Sequence, residues 1–317
     1  MTEAPVTTEE RPGRIEAVPV RHPGRWVMLL VVLVLAGMVV SSFVTNDVWD
    51  WSFAWKVMQQ RSVIDGLLKG TLLGTLGAMF IGIVLGVILA IMRLSPNPVL
   101  RGAAWVYVWF FRAVPRYVLL VFCGAIGSLY SLIRLGPPFA GQIAGLFGSH
   151  QNLTVYSIDA NALSRTIWIG IIGLGLSEAA YMAEIARGGI ASIDKGQTEA
   201  AEALGMSRGQ TMRRIVLPQA MRVIVPPTGN ETIAMLKDTS LLVAIPITTE
   251  LFFQAQAIGT RTFKLVPVYT AATGYYLILG SVLMVGQYFL ERRYGKGFGE
   301  KPSKVRPEAT AIQGGHG

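Results

Sequence analysis

Cysteine is almost missing from this chain. Cys123 stands alone among 317 residues, so no internal disulfide can form and no paired-thiol redox motif is present. Histidine is nearly as scarce. His22, His150 and His316 are scattered too widely along the sequence to suggest a metal-ligand cluster. Charged side chains make up only 15% of the residues against 52% hydrophobic ones, and the mean hydropathy is positive, which describes a polytopic membrane protein rather than a soluble one. No G-x-x-x-x-G-K-[ST] occurs, so nothing here cradles a nucleotide phosphate. Nor is any interval between apolar runs large enough to be a soluble ligand-capturing domain.

The net charge of +9 raises the question of nucleic acid. Most Lys and Arg, however, lie between apolar runs, where membrane orientation puts them. Four precede residue 26, four lie in 93–116, six in 187–222 and six from 292 to the end, while the alternate intervals are poorer. With six spans, both termini and the interval after residue 187 are expected on the cytoplasmic side. No nucleic-acid partner is expected.

Residues 1–25 carry Pro5, Pro12, Pro19 and Pro23 without apolar periodicity and read as a disordered cytoplasmic tail, as does 298–317. Residues 26–44 form an uncleaved first span, too long for a signal-peptide core, and 46–61 with Trp49, Trp51 and Trp55 an outer interfacial segment. The second span covers 67–92. Its Gly70, Gly74, Ala78, Gly82, Gly86 and Ala90 recur every fourth residue, a groove that winds around the helix and meets more than one neighbour. A third run, 103–135, is interrupted at 111–116 and followed by an outer loop over 136–161. The fourth span, 163–186, contains Glu178 and Glu184, and charges within a span face a partner or a watery path. Glu184, near the span's end, is expected to pair with Arg187 or Arg112. A fifth segment, 228–257, includes Lys237-Asp238-Thr239-Ser240, either a polar break in a bent helix or a polar path lining. The last span is 268–290.

Residues 187–227 are the one long polar interval. Asp194 with Gln197, and Ser207 with Gln210, each read as a capping box opening a short helix. Gly205 between them suits a left-handed helix end. Met212, Ile215 and Val216 share one helical face, and Pro218 predicts a stop or kink.

Glu199-Ala200-Ala201, then Gly205, then Ile215, Leu217 and Pro218 at fixed spacing resemble the EAA loop of permease subunits of ATP-binding-cassette importers. Arg112 with Pro115, the segment Ala180–Glu184 before Arg187-Gly188, the run Lys237–Leu241 and the terminal Glu291–Gly295 are similar to further family segments, closest to permeases for polar amino acids. Arg116 departs from the usual apolar choice. The resemblance covers roughly 62–297 and implies an all-α membrane domain of about six helices with a cytoplasmic coupling loop at 187–227, preceded by an extra span and interfacial segment over 26–61. It further implies no catalytic residue and no cofactor in this chain. ATP and Mg would belong to a partner ATPase dimer, with a second permease subunit, identical or related, and an extracytoplasmic substrate-binding protein completing the importer in the lipid bilayer of a bacterial cytoplasmic membrane.

In that family the loop docks on the ATPase. Glu199 is then a polar contact, Ala200 and Ala201 a close-packing surface, Gly205 the corner, and Ile215, Leu217 and Pro218 the anchor to the next span. For a polar amino acid, which needs both signs of charge or oriented dipoles to replace its hydration, Arg112, Glu178, Lys237, Asp238 and Ser240 are the path candidates. A secondary amino-acid transporter or a passive channel is the alternative, though no inverted repeat relates the two halves.

Overall fold

The protein is described by a computed structural model covering residues 23–137 and 156–295. Residues 1–22 and 298–317 of the expected tails, the three histidines and most of the 136–161 loop lie outside the described residues, whereas Pro23–Arg25, expected as the end of the disordered tail, are helical. Up to Trp49 the chain forms one compact unit and from Asp50 onward another. In the first, α1 (Pro23–Thr45) is uncharged after Arg25 and apolar over 26–40, and a 3₁₀ turn at Asp47–Trp49 follows, with the Phe43 and Trp49 rings 4.5 Å apart.

The second unit opens with α2 (Trp51–Met58), whose first turn is capped by the Asp50 carboxylate accepting from the Phe53 amide at 3.1 Å. Residues 61–94 then form a single helical path of 34 residues: α3 (Arg61–Asp65), a π-helical turn (Gly66–Leu72) and α4 (Leu73–Leu94). Asn97 caps α5 (Pro98–Ala113), which has proline in its first turn where no amide hydrogen is needed. Pro115 separates α5 from α6 (Arg116–Gly124), and the two are bent by 98°. Beyond the short α7 (Ile126–Leu129), strands β1 (Leu132–Leu135) and β2 (Tyr156–Asp159) pair antiparallel with Ile133 opposite Ile158.

The chain continues through α8 (Ala160–Ser164), the long α9 (Ile167–Ala191), α10 (Lys195–Ala203), α11 (Arg208–Thr211) and a π-helical turn at Met212–Val216. It ends with α12 (Leu217–Asp238), a 3₁₀ turn (Thr239–Ala244), α13 (Leu251–Thr262) and α14 (Leu265–Tyr294).

Among the described residues four helical segments are long and apolar enough to cross a membrane, 23–45, 61–94, 167–191 and 265–294, and α5 with α6 makes a fifth if the bent pair is one span. The stretch 228–257, expected as one further segment, is divided between α12, the 3₁₀ turn and α13. Pro246 has no amide to continue a helix, and Glu250 caps α13 instead. Pro218 does not stop its helix. The backbone stays helical through Val216 and Leu217, and the π-helical turn just before it is the kind of local widening that lets a helix pass a missing donor.

Helix α9 is the centre of the bundle. Leu174, Ala179, Ala180, Met182 and Ala183 are all buried, against α4 and α6 on one side and α5 on another. The glycine stripe explains how close α4 comes: a Cβ on Gly82 would lie 2.6 Å from Cγ of Glu178. Further up, Gly70 abuts the backbone of Thr249 and Glu250, so the stripe meets two different neighbours, as its winding predicted.

A second core joins α2, α3, α13 and α14 through Val57, Val63, Leu251, Ala255 and Val268. Beside it Glu250 is fully buried and pairs with no cation among the described residues. Four donors satisfy it instead: the Thr71 hydroxyl at 3.0 Å, the Tyr276 hydroxyl at 2.8 Å and the amides of Phe252 and Phe253 at 2.7 and 3.1 Å. A buried carboxylate needs such a full set, because each missing donor would leave desolvated charge uncompensated.

Candidate functional site

Two sites emerge, one in the polar loop and one inside the bundle. In the loop, the Asp194 carboxylate accepts from the Gly196 amide at 2.7 Å and opens α10. Gln197 supplies its backbone amide to the Asp194 carbonyl, so the expected reciprocal side-chain bond is replaced by an ordinary turn bond. At the far end Gly205 takes φ +77°, with its amide bonded to Glu202 and that of Met206 to Ala201. This six-to-one plus five-to-two pairing satisfies the last carbonyls and turns the chain by a backbone shape that side chains with a Cβ resist. Ser207 and Gln210 then form the full reciprocal box that starts α11, at 2.9 and 3.4 Å.

The result is a helix–corner–helix whose outer surface is presented to its surroundings. Glu199, Ala200 and Gly205 are exposed, and Leu204 is 83% exposed, while Ala201 is 4% exposed and turns inward. Ile215 is half-buried, Leu217 and Pro218 are exposed, and the burial that joins α11 to α12 is carried by Val216 and Ala220. A cavity of about 520 Å³ beside α11 is lined by Ser207, Gly209, Gln210, Arg213 and Arg214.

Inside the bundle, Arg116 begins α6 and points its guanidinium at three carboxylates. Nη2 donates to Glu178 Oε2 at 2.8 Å, Nη1 donates to Asp238, and Glu231 lies 3.9 Å away. Glu231 and Asp238 are seven residues apart, two helical turns, and therefore share a face of α12. The Tyr181 ring, one turn beyond Glu178, faces the guanidinium with 4.7 Å from its centroid to Cζ. Glu178 is fully buried, and its Oε1 has no hydrogen-bond partner among the described residues. One fixed cation thus stands against three carboxylates, of which Glu178 is wholly buried while Glu231 and Asp238 are partly exposed.

Of the candidate path residues, Glu178 and Asp238 come together here. Arg112 is exposed and approaches only the edge of the group, 5.5 Å from the Tyr181 centroid. Lys237 is exposed, its side chain turned from Asp238 by the roughly 100° between helical neighbours. Ser240 donates to the Lys237 carbonyl at 2.7 Å and only closes the helix end. The members missed from sequence are Arg116 and Glu231. Arg116 carried the same signal as Glu178, a charge inside an apolar run, but the family pattern drew attention to Arg112.

A second ion group sits toward the loop end of α9. Glu184 accepts from Arg187 at 2.7 Å and from Arg93 of α4 at 3.1 Å, so its partner is Arg187 together with Arg93 rather than Arg112.

Fold and loop define an all-α chain with up to five spans of membrane length among its described residues and an exposed helix–corner–helix between two of its long helices. A family profile described as binding-protein-dependent transport system inner membrane component matches residues 82–296, and the chain belongs to that family, the permease subunits of such transport systems. The arginine transport system permease protein ArgU of Corynebacterium glutamicum is 45% identical over 298 residues, 94% of this chain and 88% of ArgU. The glutamine transport system permease protein GlnP of Escherichia coli K12 is 42% identical over 123 residues, 39% of this chain and 56% of GlnP. Among solved structures, an amino acid ABC transporter crystallised with histidines matches with TM-score 0.56 and 28% identity, covering 73% of this chain and 94% of that one. A bacterial alginate ABC transporter matches with TM-score 0.53 at 14% identity over 85% of this chain and 96% of its own, a likeness of fold alone.

Proposed function

We propose that the chain is the translocating subunit of an ATP-driven importer for a polar amino acid with a cationic side chain, the class to which the arginine named for ArgU belongs. The observation that carries the substrate reading is the charge balance around Arg116. Glu178, Glu231 and Asp238 outnumber the guanidinium, and a second cation arriving there meets unspent carboxylate beside the Tyr181 ring that Arg116 already faces. An ammonium or guanidinium loses its hydration on entering the bundle, and these groups replace it. The proposed path residues are therefore Glu178, Asp238, Glu231 and Arg116, with Arg112, Lys237 and Ser240 outside the cluster.

Glu199, Ala200, Ala201, Gly205, Ile215, Leu217 and Pro218 make the coupling element. The exposed outer surface of α10 and the Gly205 corner dock on a separate ATPase dimer that holds ATP and Mg, and the helical continuity from α11 into α12 carries its displacement to Glu231 and Asp238. A second permease subunit and an extracytoplasmic binding protein complete the assembly in a bacterial cytoplasmic membrane, with both termini and the loop on the cytoplasmic side. Radiolabelled arginine uptake into proteoliposomes of the purified complex is expected only with ATP on the loop side. Uptake on an ion gradient alone would make the chain a secondary transporter, and purely downhill flow would make it a channel.

A further inference from the structure

A cavity of about 420 Å³ lies where the last turn of α4 meets α5 and α9, touching the Arg116 group only through Arg112 at its edge. Its walls are Arg93, Trp105, Val108, Trp109, Arg112 and Glu184, with Ala113 at the end of α5. The charges do not balance. Both oxygens of Glu184 are already taken, Oε1 by Arg93 and Oε2 by Arg187. Arg93 keeps a buried Nε–H with no acceptor among the described residues. Arg112 has no carboxylate within ion-pair distance among the described residues: it feels Glu184 only at longer range and lies 5.5 Å from the centroid of the Tyr181 ring. A single anionic group placed between Arg93 and Arg112 would satisfy the orphan donor and neutralise the unpaired cation.

The rest of the wall says what kind of molecule carries that anion. Trp105 and Trp109, one turn apart on α5, hold their rings nearly parallel at 6.3 Å and are about half exposed. The neighbouring surface of the same helix continues outward with exposed Val99, Val106 and Phe110. A small soluble anion has no use for that apolar continuation, whereas a lipid has a charged head and a tail to lay along it. Tryptophan flanked by arginine near a span's end is the composition of the headgroup level, and basic pockets between spans hold anionic headgroups.

We propose that this cavity binds the phosphate of an anionic phospholipid, with Arg93 and Arg112 as its ligands and the Trp105–Trp109 pair as the platform for the glycerol and upper acyl chain. The lipid bridges α4, α5 and α9 at the place where α5 has little other cover.

The test is native mass spectrometry of the delipidated full-length chain in neutral detergent, titrated with dioleoyl phosphatidylglycerol or dioleoyl phosphatidylcholine. Wild type is expected to retain phosphatidylglycerol preferentially. Arg112→Gln should lower that affinity about fivefold, the weight of one basic residue near a lipid phosphate. Arg101→Gln, an exposed arginine on the same helix outside the cavity, should leave it unchanged. Equal retention of the two lipids overturns the proposal, as does an Arg101→Gln loss as large as that of Arg112→Gln, which would mean diffuse charge. Displacement by millimolar inorganic phosphate would make it a soluble-anion site, and exclusion of lipid on self-association would make the face a protein interface; either result removes the assignment.

Discussion

Arg116 and Glu178 meet at 2.8 Å where three helices converge, and the carboxylate is wholly buried while the guanidinium is shared with Asp238. Removing the cation leaves the buried Glu178 carboxylate without its ion-pair partner. Arg116→Met is expected to destabilise the purified chain by about 3–5 kcal/mol, read from its thermal or denaturant midpoint, and Arg116→Met with Glu178→Gln should recover much of that loss. Additive effects in this double-mutant cycle would mean the pair is not coupled.

At Glu250 two hydroxyls and two backbone amides converge on one carboxylate. The hydroxyls of Thr71 and Tyr276 can rotate to accept, so an amide fits if its NH₂ faces them and its oxygen faces Phe252 and Phe253. Glu250→Gln should therefore cost well below Glu250→Ala, which orphans four donors and is expected to cost about 3 kcal/mol or more. Equal losses in an unfolding titration would show that the hydrogen-bond set is not what holds α13.

Gly205 has open space around its α-carbon, so what restricts substitution there is its backbone, at φ +77°. Gly205→Ala should weaken the corner by about 1–2 kcal/mol, seen as faster amide exchange in α10 and α11 with the bundle unaffected. Gly205→Val is further expected to lower transport and transport-linked ATP hydrolysis without loss of membrane insertion, and wild-type coupling in that variant would refute the lever role.

Asp50 lies before α2, outside the membrane spans. The Lys264 ammonium at 2.7 Å, then the Phe53 amide and the Ser52 hydroxyl, hold its carboxyl below the ordinary aspartate value. Because the folded value is the lower one, the stabilisation is complete above the ordinary value and fades as pH falls through the depressed one. Lys264→Ala should flatten this acid-side loss of stability below about pH 4, measured by unfolding as a function of pH. An unchanged pH profile would remove the pair from the account.

Much of the loop was legible from residue types alone. Ser207, Gln210 and Gly205 act through hydrogen bonds and dihedrals a few residues long, so their sequence spacing is their geometry. The glycine stripe of α4 was legible for the same reason, since helical periodicity sets which residues share a face. Of the stop or kink expected at Pro218 the stop did not occur, because a proline's effect depends on whether the helix ahead of it can widen.

The charge cluster belongs to the other category. Arg116, Glu178, Glu231 and Asp238 come from three helices with up to 122 residues between bonded partners, and no local rule says which charge of a pair such as Arg112 and Arg116 will turn inward. That choice was made by the 98° bend after α5 and by the close approach of α4 to α9. Residue order by itself determined the membrane class, the family and the capped loop, because hydropathy, spacing and capping act over one or two helical turns. Which side chains meet inside the bundle was decided only by tertiary packing, because a buried charge takes its partner from whichever helix the fold brings within reach.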